Sequence, residues 1–416
     1  MAKIEGFKCV SCSKEHGAKD VRYICPSCGG NVQVVYDYKA ARGRLTRKFF
    51  AENPDQSPWR YLDLLPLKGD PSFWPVESGW TPLFHAQRLG RKLGLSRLHL
   101  KDDGRQPSAS FKDRASAVVL ARALETGERA IAAASTGNAA ASMACLAAGS
   151  GLRTVIFVPQ SAPPAKLTQL LVFGATVVTV MGNYDDAFDL CLQATEKFGW
   201  YNRNTGFNPF TREGKKTCAF EICEQLDWEA PDKVFVPVGD GNILSGLWKG
   251  FQEFERLKLI KKTPQLVAVQ AEKSDAVKKA FETGNKLEPV SGQTLADSIS
   301  VRLPRDGQAA VEALRQSQGF AVSVTDQEIL EAVVSVAREA NVFAEPAGAA
   351  SVAGLKKAAQ QGRVGAQESV VALLTGNGLK DAASVVQALK PPYLIRPSIE
   401  ELEVLMDKHA GHFTAP

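Results

Sequence analysis

The chain has 416 residues, of which 44% are hydrophobic, and this length and composition are typical of a folded protein of two or three domains. Its formal net charge is +5, and 50 Lys and Arg residues are dispersed among 45 Asp and Glu residues. Because they form no long basic block, no nucleic-acid partner is indicated. The first residues lack the apolar core of a signal peptide, and no apolar run reaches the roughly 18 residues of a membrane helix. We therefore expect a cytoplasmic protein with no membrane partner.

Two CxxC pairs near the N-terminus, separated by 12 residues, are typical of a zinc ribbon. Four thiolates fill the tetrahedral shell of zinc and leave no open position, which indicates a structural metal. We predict a zinc-ribbon-like segment over residues 1–36, with the ligands Cys9, Cys12, Cys25 and Cys28. A pair of redox dithiols is the alternative, which the doubled spacing does not favour. The remaining cysteines lie in apolar or helical surroundings and are expected to pack as small hydrophobes.

Residues 37–97 are predicted to form an N-terminal arm, because the part over 44–80 is rich in Pro, Trp and charge without clear periodicity. Short apolar runs then alternate with helical patterns. The predicted strands are 98–101, 130–134, 154–158, 176–180, 233–238, 266–270 and 370–374. This alternation predicts an α/β fold of two doubly wound parallel sheets, with ligands at the carboxyl ends of the strands.

Lys112 is placed at the start of a helix predicted over 115–124, after the turn-forming residues 104–109. Backbone amides at a helix start oppose a second positive charge, and partial desolvation acts in the same direction. The pKa of this lysine should therefore be lowered, as Schiff-base chemistry requires. A solvated lysine in a charged first turn is the alternative.

Two loops between a strand and a helix are suited to anions. Residues 135–138 (STGN) offer free backbone amides and two hydroxyls, although an ordinary helix N-cap explains them equally well. Residues 239–243 match neither the dinucleotide fingerprint nor the P-loop, which disfavours NAD and ATP. Asp240 in this loop would repel a phosphate unless its side chain points away.

Thr375 ends the last apolar strand, where its hydroxyl could face a neutral pyridine nitrogen. A simple strand-ending turn would explain the neighbouring Gly376 and Gly378 equally well.

Together, five motifs resemble the threonine synthases, which belong to the tryptophan-synthase-beta-like family of fold-type II pyridoxal-phosphate enzymes. They are SFKDR (110–114), STGN (135–138), the glycine-rich loop (239–242), EPAGAAS (345–351) and TGNGLKD (375–381). The resemblance covers residues from about 79 to 390 in the correct order. It implies a large cofactor-binding domain (98–114 and 206–390), a small mobile domain (115–205) and a C-terminal tail (391–416) outside the matched core.

The resemblance also implies roles for individual residues. Lys112 would form the Schiff base with pyridoxal 5'-phosphate and act as the catalytic base. Asn138 would contact the phenolic oxygen of the cofactor, and Thr375 would face the pyridine nitrogen. The cofactor's phosphate would be held by Gly239, Asp240, Gly241, Asn242 and Ile243. The substrate's carboxylate would be bound by Ser135, Thr136, Gly137 and Asn138, and its phosphate by Asn204, Thr205 and Arg212.

The implied reaction converts a phosphorylated amino acid, O-phospho-L-homoserine, and water to L-threonine and phosphate. The sequence departs from the family pattern at Ser108, Ala109, Ala139 and Asn377. These departures keep open a second reaction of the same cofactor, namely β-replacement on O-phosphoserine, as in cysteate or cysteine synthesis, or dehydration of serine or threonine. A zinc-ribbon binding protein whose enzyme-like body has lost activity is a third interpretation. By analogy with the group, a homodimer is expected.

Overall fold

Three separate sheets organise the protein in the computed structural model, which describes residues 4–69, 78–162 and 164–413. Their strands are β1 (Ile4–Cys9), β2 (Glu15–Gly17), β3 (Val32–Tyr36), β4 (Leu83–His85), β5 (Arg97–Asp102), β6 (Ala130–Ala134), β7 (Arg153–Pro159), β8 (Thr176–Val180), β9 (Tyr201–Asn202), β10 (Lys233–Pro237), β11 (Gln265–Ala271), β12 (Phe320–Val324) and β13 (Ser369–Leu374).

The first sheet is antiparallel, in the order β2-β1-β3, and carries the four N-terminal cysteines. Cys9 ends β1, whereas the second CxxC pair lies in the loop before β3. A small antiparallel sheet with cysteines at its turns is compatible with the predicted zinc-ribbon-like segment. Residues 1–3 of that segment lie outside the described residues.

The other two sheets are mainly parallel, which confirms the predicted α/β class. The larger has the order β12-β11-β10-β13-β5-β4, and its edge strand β4 runs antiparallel to β5. The smaller has the order β8-β7-β6-β9 and is parallel throughout. All residues of β6, β10 and β13 are buried, as expected for strands covered on both faces.

Helices cover these sheets and connect their strands. They are α1 (Tyr38–Arg42), α2 (Arg47–Glu52), α3 (Gln87–Leu93), α4 (Lys112–Glu125), α5 (Asn138–Ala147), α6 (Pro164–Val172), α7 (Tyr184–Phe198), α8 (Phe210–Lys215), α9 (Thr217–Gln225), α10 (Asn242–Arg256), α11 (Ala276–Thr283), α12 (Gly307–Gln316), α13 (Asp326–Ala340), α14 (Pro346–Gln360), α15 (Ala382–Val386), α16 (Ile399–Lys408) and α17 (Ala410–Phe413). Within the described ranges, no helix combines the length and apolarity needed to cross a membrane.

All seven predicted strands are present, each within one residue of its predicted bounds. Among the strands of the two larger sheets, the sequence patterns missed β12, the two-residue β9, and β4, which lies inside the segment predicted as an arm. The C-terminal tail contains α16, which buries no residue. Residues 70–77 of the predicted arm and residues 414–416 of the tail lie outside the described residues, and the domain boundaries themselves stay predictions.

Candidate active site

A cavity of about 740 Å³ lies where strands of both parallel sheets reach their carboxyl ends. Its walls come from the segment after β6, the loop after β10, the end of β13 and the start of α4. The cavity collects every residue predicted to bind cofactor or substrate except Arg212. The predicted residues thus lie together at the carboxyl ends of the strands, where parallel sheets bind their ligands.

Lys112 is the first residue of α4, and the loop before it is held against the end of β13. The Phe111 N–H donates to the Thr375 carbonyl at 2.9 Å, and Ser110 forms a β-bridge with Gly376. The Lys112 amine faces the cavity, and no hydrogen bond or ion pair within the described part of the chain engages it. A lysine fixed at its backbone and free at its amine is ready to react with a ligand.

The electrostatic surroundings of Lys112 favour the neutral amine. Burial lowers its pKa below the usual lysine value, and the positive charges of Arg203 and Lys380 act in the same direction. The carboxyl groups of Glu345 and Asp240 oppose this shift without cancelling it. The sequence predicted this direction, and the structure adds the two cations as a further cause.

The loop over 239–243 connects β10 to the N-terminus of α10, whose unpaired backbone amides favour an anion. Gly241 has φ +87°, and a Cβ there would lie 2.8 Å from the Cβ of Ala310. The loop therefore approaches its supporting helix more closely than a side chain would permit. The Asp240 carboxylate accepts the backbone N–H of Arg305 at 3.2 Å.

Residues 135–138 connect β6 to α5, and all four line the cavity. The Asn138 amide donates to Glu345 at 2.8 Å and to Ser298 at 3.1 Å. The Thr375 hydroxyl donates to the other carboxylate oxygen of Glu345 at 3.3 Å. Burial raises the pKa of Glu345, while the Asn138 hydrogen bond opposes that shift. Glu345 lies in the EPAGAAS motif, yet we did not predict it as a site residue.

Arg212 does not reach the cavity. It belongs to α8, is 2% exposed, and forms an ion pair with Asp306 at 2.5 Å. Its guanidinium also donates to the Ser245 hydroxyl at 3.2 Å and to the Val32 carbonyl at 3.3 Å. With a buried carboxylate as its partner, this side chain is committed to the core, and the structure gives no support to its predicted contact with the substrate's phosphate.

Two buried cations line the cavity and were missed by the sequence patterns. Arg203 donates to the hydroxyls of Thr205 at 3.0 Å and Ser116 at 3.2 Å, and its Nε is buried without a partner. Lys215 donates to the Asn242 side-chain oxygen at 2.7 Å. Neither forms an ion pair with a carboxylate in the described residues. Their only sequence signal was position, because both flank the NTGFNPFTREG segment.

The pKa values of both cations are lowered. Burial lowers the pKa of Arg203 to about 10, and burial together with the charges of Lys112 and Arg203 lowers that of Lys215 well below the usual lysine value. Buried cations of this kind are costly unless an anion neutralises them. The cavity is therefore electrostatically prepared for anionic ligands such as phosphates.

Of the four departures from the family pattern, only Ala139 lines the cavity. Ala109 lies in the loop before Lys112 with φ +61°, a conformation that favours glycine, and its carbonyl accepts the Asn377 N–H at 3.0 Å. Ser108 donates through its backbone N–H to Asp113 at 2.6 Å. These three residues thus contact the loop before Lys112 and do not line the ligand cavity.

The four N-terminal cysteines form a compact cluster, with all Sγ atoms within 4.8 Å of one another. The Sγ atoms of Cys9 and Cys28 are 3.5 Å apart, and those of Cys12 and Cys25 are 3.8 Å apart. Four sulfurs around a tetrahedral zinc with Zn–S bonds of about 2.3 Å would be separated by about 3.8 Å. The arrangement therefore fits a structural zinc ion, and His16 contacts it with its Nε2 at 3.2 Å from the sulfur of Cys25.

The class of this protein follows from its similarity to a known enzyme family and to solved structures. The pyridoxal-phosphate dependent enzyme family matches residues 76–376 of the chain. Solved structures share the fold: the processed form of threonine deaminase isoform 2 from Solanum lycopersicum has a TM-score of 0.65 at 23% identity, over 74% of this chain and 86% of that one. An L-serine ammonia-lyase from Rhizomucor miehei has a TM-score of 0.66 at 21% identity, over 74% and 96%. At such identities the likeness shows the fold alone.

Relatives of higher sequence identity specify the enzyme within this class. The threonine synthase of Methanocaldococcus jannaschii is 36% identical over 402 residues, which span 96% of this chain and 98% of that protein. That of Methanosarcina acetivorans is 37% identical, over 95% and 97%, and that of Mycobacterium tuberculosis strain H37Rv is 39% identical, over 78% and 89%. The chain therefore belongs to the pyridoxal-phosphate-dependent enzymes and, within them, to the threonine synthases, as its motifs predicted.

Proposed function

We propose that the protein converts O-phospho-L-homoserine and water to L-threonine and inorganic phosphate with the help of pyridoxal 5'-phosphate. The observation that carries this proposal is the cavity itself, which combines one unpartnered lysine with two buried cations that have no carboxylate partner within the described residues. A reactive amine and two buried cations without a counter-ion suit a cofactor and a substrate that both carry phosphate.

The residues of the cavity fit the cofactor. Lys112 would hold its aldehyde carbon, because its amine is free and its pKa is lowered. The amides of residues 239–243 would hold its phosphate at the start of α10. Asn138 and Thr375 both line the cavity beside Glu345, where they would contact the ring. When bound, pyridoxal 5'-phosphate supplies an electron sink that makes protons on the substrate's Cα and Cβ removable.

The protein's own groups would then move protons and hold charge. Lys112 takes the proton from Cα and moves the proton from Cβ, which its single flexible amine permits. The STGN segment holds the substrate's carboxylate at the N-terminus of α5. Phosphate leaves from Cγ, water adds at Cβ, and the two products account for every atom of the substrate and the water.

We assign the substrate's phosphate to Arg203 and Lys215 in place of Arg212, together with Asn204 and Thr205. All four line the cavity. A phosphate between Arg203 and Lys215 would relieve their mutual repulsion and provide the missing acceptor for the buried Arg203 Nε. The sequence predicted that a cation binds the substrate's phosphate. The assignment keeps that prediction but replaces Arg212 with Arg203 and Lys215.

The test is to supply the protein, loaded with pyridoxal 5'-phosphate, with O-phosphohomoserine and to measure released phosphate and the amino-acid product. Stoichiometric phosphate and threonine are expected. A parallel reaction with O-phosphoserine and sulfite tests the competing β-replacement. Turnover there, with no product from O-phosphohomoserine, would overturn the proposed substrate. The relatives favour the first reaction, and so does the position of three of the four departures (Ser108, Ala109 and Asn377) outside the ligand volume.

We also propose a structural zinc ion at the four N-terminal cysteines. The cluster geometry and the all-thiolate ligand set support it. Metal analysis of dialysed protein should give one zinc per chain, and four freely titratable thiols in this segment would refute it. The cytoplasmic location and the homodimer stay predictions, which fractionation of cells and light scattering of the purified protein would test.

A further inference from the structure

The side chain of Asn31 connects the second CxxC pair to the large sheet domain. Asn31 follows Cys28 by three residues, and a β-bridge to Ile24 fixes its backbone in the cysteine loop. Its side-chain amide donates to the Arg305 carbonyl at 2.8 Å and to the Asp306 carboxylate at 2.9 Å. The position of the cysteine loop is therefore linked to that of a buried carboxylate.

Asp306 in turn supports the loop over 239–243. Its carboxylate is 1% exposed and accepts the Asn242 amide at 2.8 Å and the Ser245 hydroxyl at 2.6 Å. Its backbone N–H donates to the Asp240 carbonyl at 2.9 Å. These three contacts fix the two residues on either side of Gly241 and the first turn of α10, where the cofactor's phosphate is proposed to bind.

The same cysteine loop also touches the smaller sheet. The Tyr23 hydroxyl accepts the backbone N–H of Asn202 at 2.9 Å, and its ring packs against those of Tyr201 and Phe207. Asn202 ends β9 and directly precedes Arg203. The loop over 23–31, which we call the second knuckle, therefore contacts the supports of both walls of the cavity.

We propose that the second knuckle supports the cofactor-phosphate site, with Asn31 as a positioning residue that acts through Asp306. Metal binding at the cysteines orders this knuckle and thereby favours the loop conformation that binds the cofactor. By linkage, the cofactor tightens metal binding by the same factor. The inference rests on the proposed assignment of the cofactor's phosphate to residues 239–243.

The first test compares Asn31→Ala with Arg22→Ala. Arg22 lies in the same zinc-ribbon-like segment, but its exposed side chain contacts Glu128 and the Tyr23 ring and forms no hydrogen bond or ion pair with Asn31 or Asp306 in the described part of the chain. We expect the dissociation constant for pyridoxal 5'-phosphate, from absorbance titration of the cofactor-free protein, to rise about tenfold in Asn31→Ala, because a hydrogen bond to a charged group is lost. Arg22→Ala should stay within twofold of wild type. Equal affinities for Asn31→Ala and wild type would overturn the inference.

The second test removes the metal with a chelator and repeats the titration. We expect a weaker cofactor affinity for the metal-free wild type and a smaller effect of metal removal in Asn31→Ala, because that variant lacks the connecting contact. Circular dichroism confirms that each sample is folded. A cofactor affinity that is independent of metal content would overturn the coupling. The titration requires no turnover, so a wild type that binds the cofactor without forming threonine would count against the proposed reaction alone.

Discussion

Lys215 and Lys216 are adjacent in sequence and equally buried, but only Lys216 is held by carboxylates. Its amine lies 2.6 Å from Glu213 and 2.8 Å from Glu253, whereas Lys215 donates only to the neutral side chain of Asn242. The pKa of Lys216 is accordingly raised and that of Lys215 is lowered. Successive residues of a helical segment point about 100° apart, so one lysine enters the core and the other enters the cavity.

This difference predicts opposite effects of the same substitution. Lys215→Met should raise the free energy of unfolding of the cofactor-free protein by about 1 kcal/mol, because it removes a buried charge that has no counter-ion. Lys216→Met should lower it by about 3–5 kcal/mol, because Glu213 and Glu253 lose their partner. Urea denaturation at pH 7 measures both values. A loss of stability in Lys215→Met would contradict the assignment of Lys215 to the cavity.

The stabilisation by Lys215→Met should also depend on pH. The folded protein holds the proton of Lys215 less tightly than the unfolded chain, since burial lowers the pKa of Lys215 only in the folded state. The cost of the charged lysine is therefore full at low pH and disappears as the pH rises from the lowered pKa towards the usual lysine value. Thermal melts between pH 7 and 10 should show the variant's advantage shrinking, and a constant difference would argue against this cause.

Arg203→Gln should raise the KM for O-phosphohomoserine about 10- to 100-fold, because a charge-assisted contact to the substrate's phosphate is lost. Its affinity for pyridoxal 5'-phosphate should change little. Steady-state kinetics and cofactor titration separate the two effects. Arg153→Gln serves as a control, since Arg153 is exposed at the beginning of β7. An unchanged KM for Arg203→Gln would refute the proposed phosphate contact.

Arg212→Met should act on stability instead. Removal of its guanidinium leaves the buried Asp306 carboxylate without its ion-pair partner, which should lower the free energy of unfolding by about 3–5 kcal/mol. A rise in KM at undiminished stability would show that Arg212 binds the substrate after all, as the sequence predicted. Denaturation and kinetics on the same sample distinguish these outcomes.

Lys112→Ala should abolish turnover almost completely. The other lysine that lines the cavity, Lys215, belongs to α8 and cannot replace an amine at the start of α4. The variant should still fold, because the amine of Lys112 has no hydrogen-bond or ion-pair partner among the described residues that its removal would leave unsatisfied. Turnover of O-phosphohomoserine and the circular dichroism spectrum are the two measurements. Near-normal turnover in the variant would eliminate the proposed chemistry.

Ala109→Gly should stabilise the protein by about 1 kcal/mol. Ala109 has φ +61°, which costs a residue with a side chain more than it costs glycine. Ala139→Gly is the control, because Ala139 lies near the start of α5 outside the positive-φ region and should lose stability by about 0.5–1 kcal/mol. Melting temperatures of the two variants should therefore move in opposite directions.

The sequence predicted the strands well because a strand of a covered parallel sheet is a short run of apolar residues, and such a run is a local property. It missed β4 and β12 for different reasons. β4 has only three residues, none of them buried. β12 (FAVSV) lies between two helices and carries the same local signal as the predicted strands, but it was not predicted. Helix α16 in the C-terminal tail has apolar residues such as Ile399 and Val404 but buries none of its residues, so it adds nothing to the core.

The sequence by itself determined the class of the protein, the helix-start position of Lys112 and the loops that surround it, because each of these depends on residues adjacent in the chain. Only the tertiary structure decided which cations serve the cavity. Arg212 is committed to Asp306, 94 residues away, whereas Arg203 and Lys215 are buried without a carboxylate. The pairing of a buried charge depends on which distant segment packs against it, and no local pattern in the sequence carries that information.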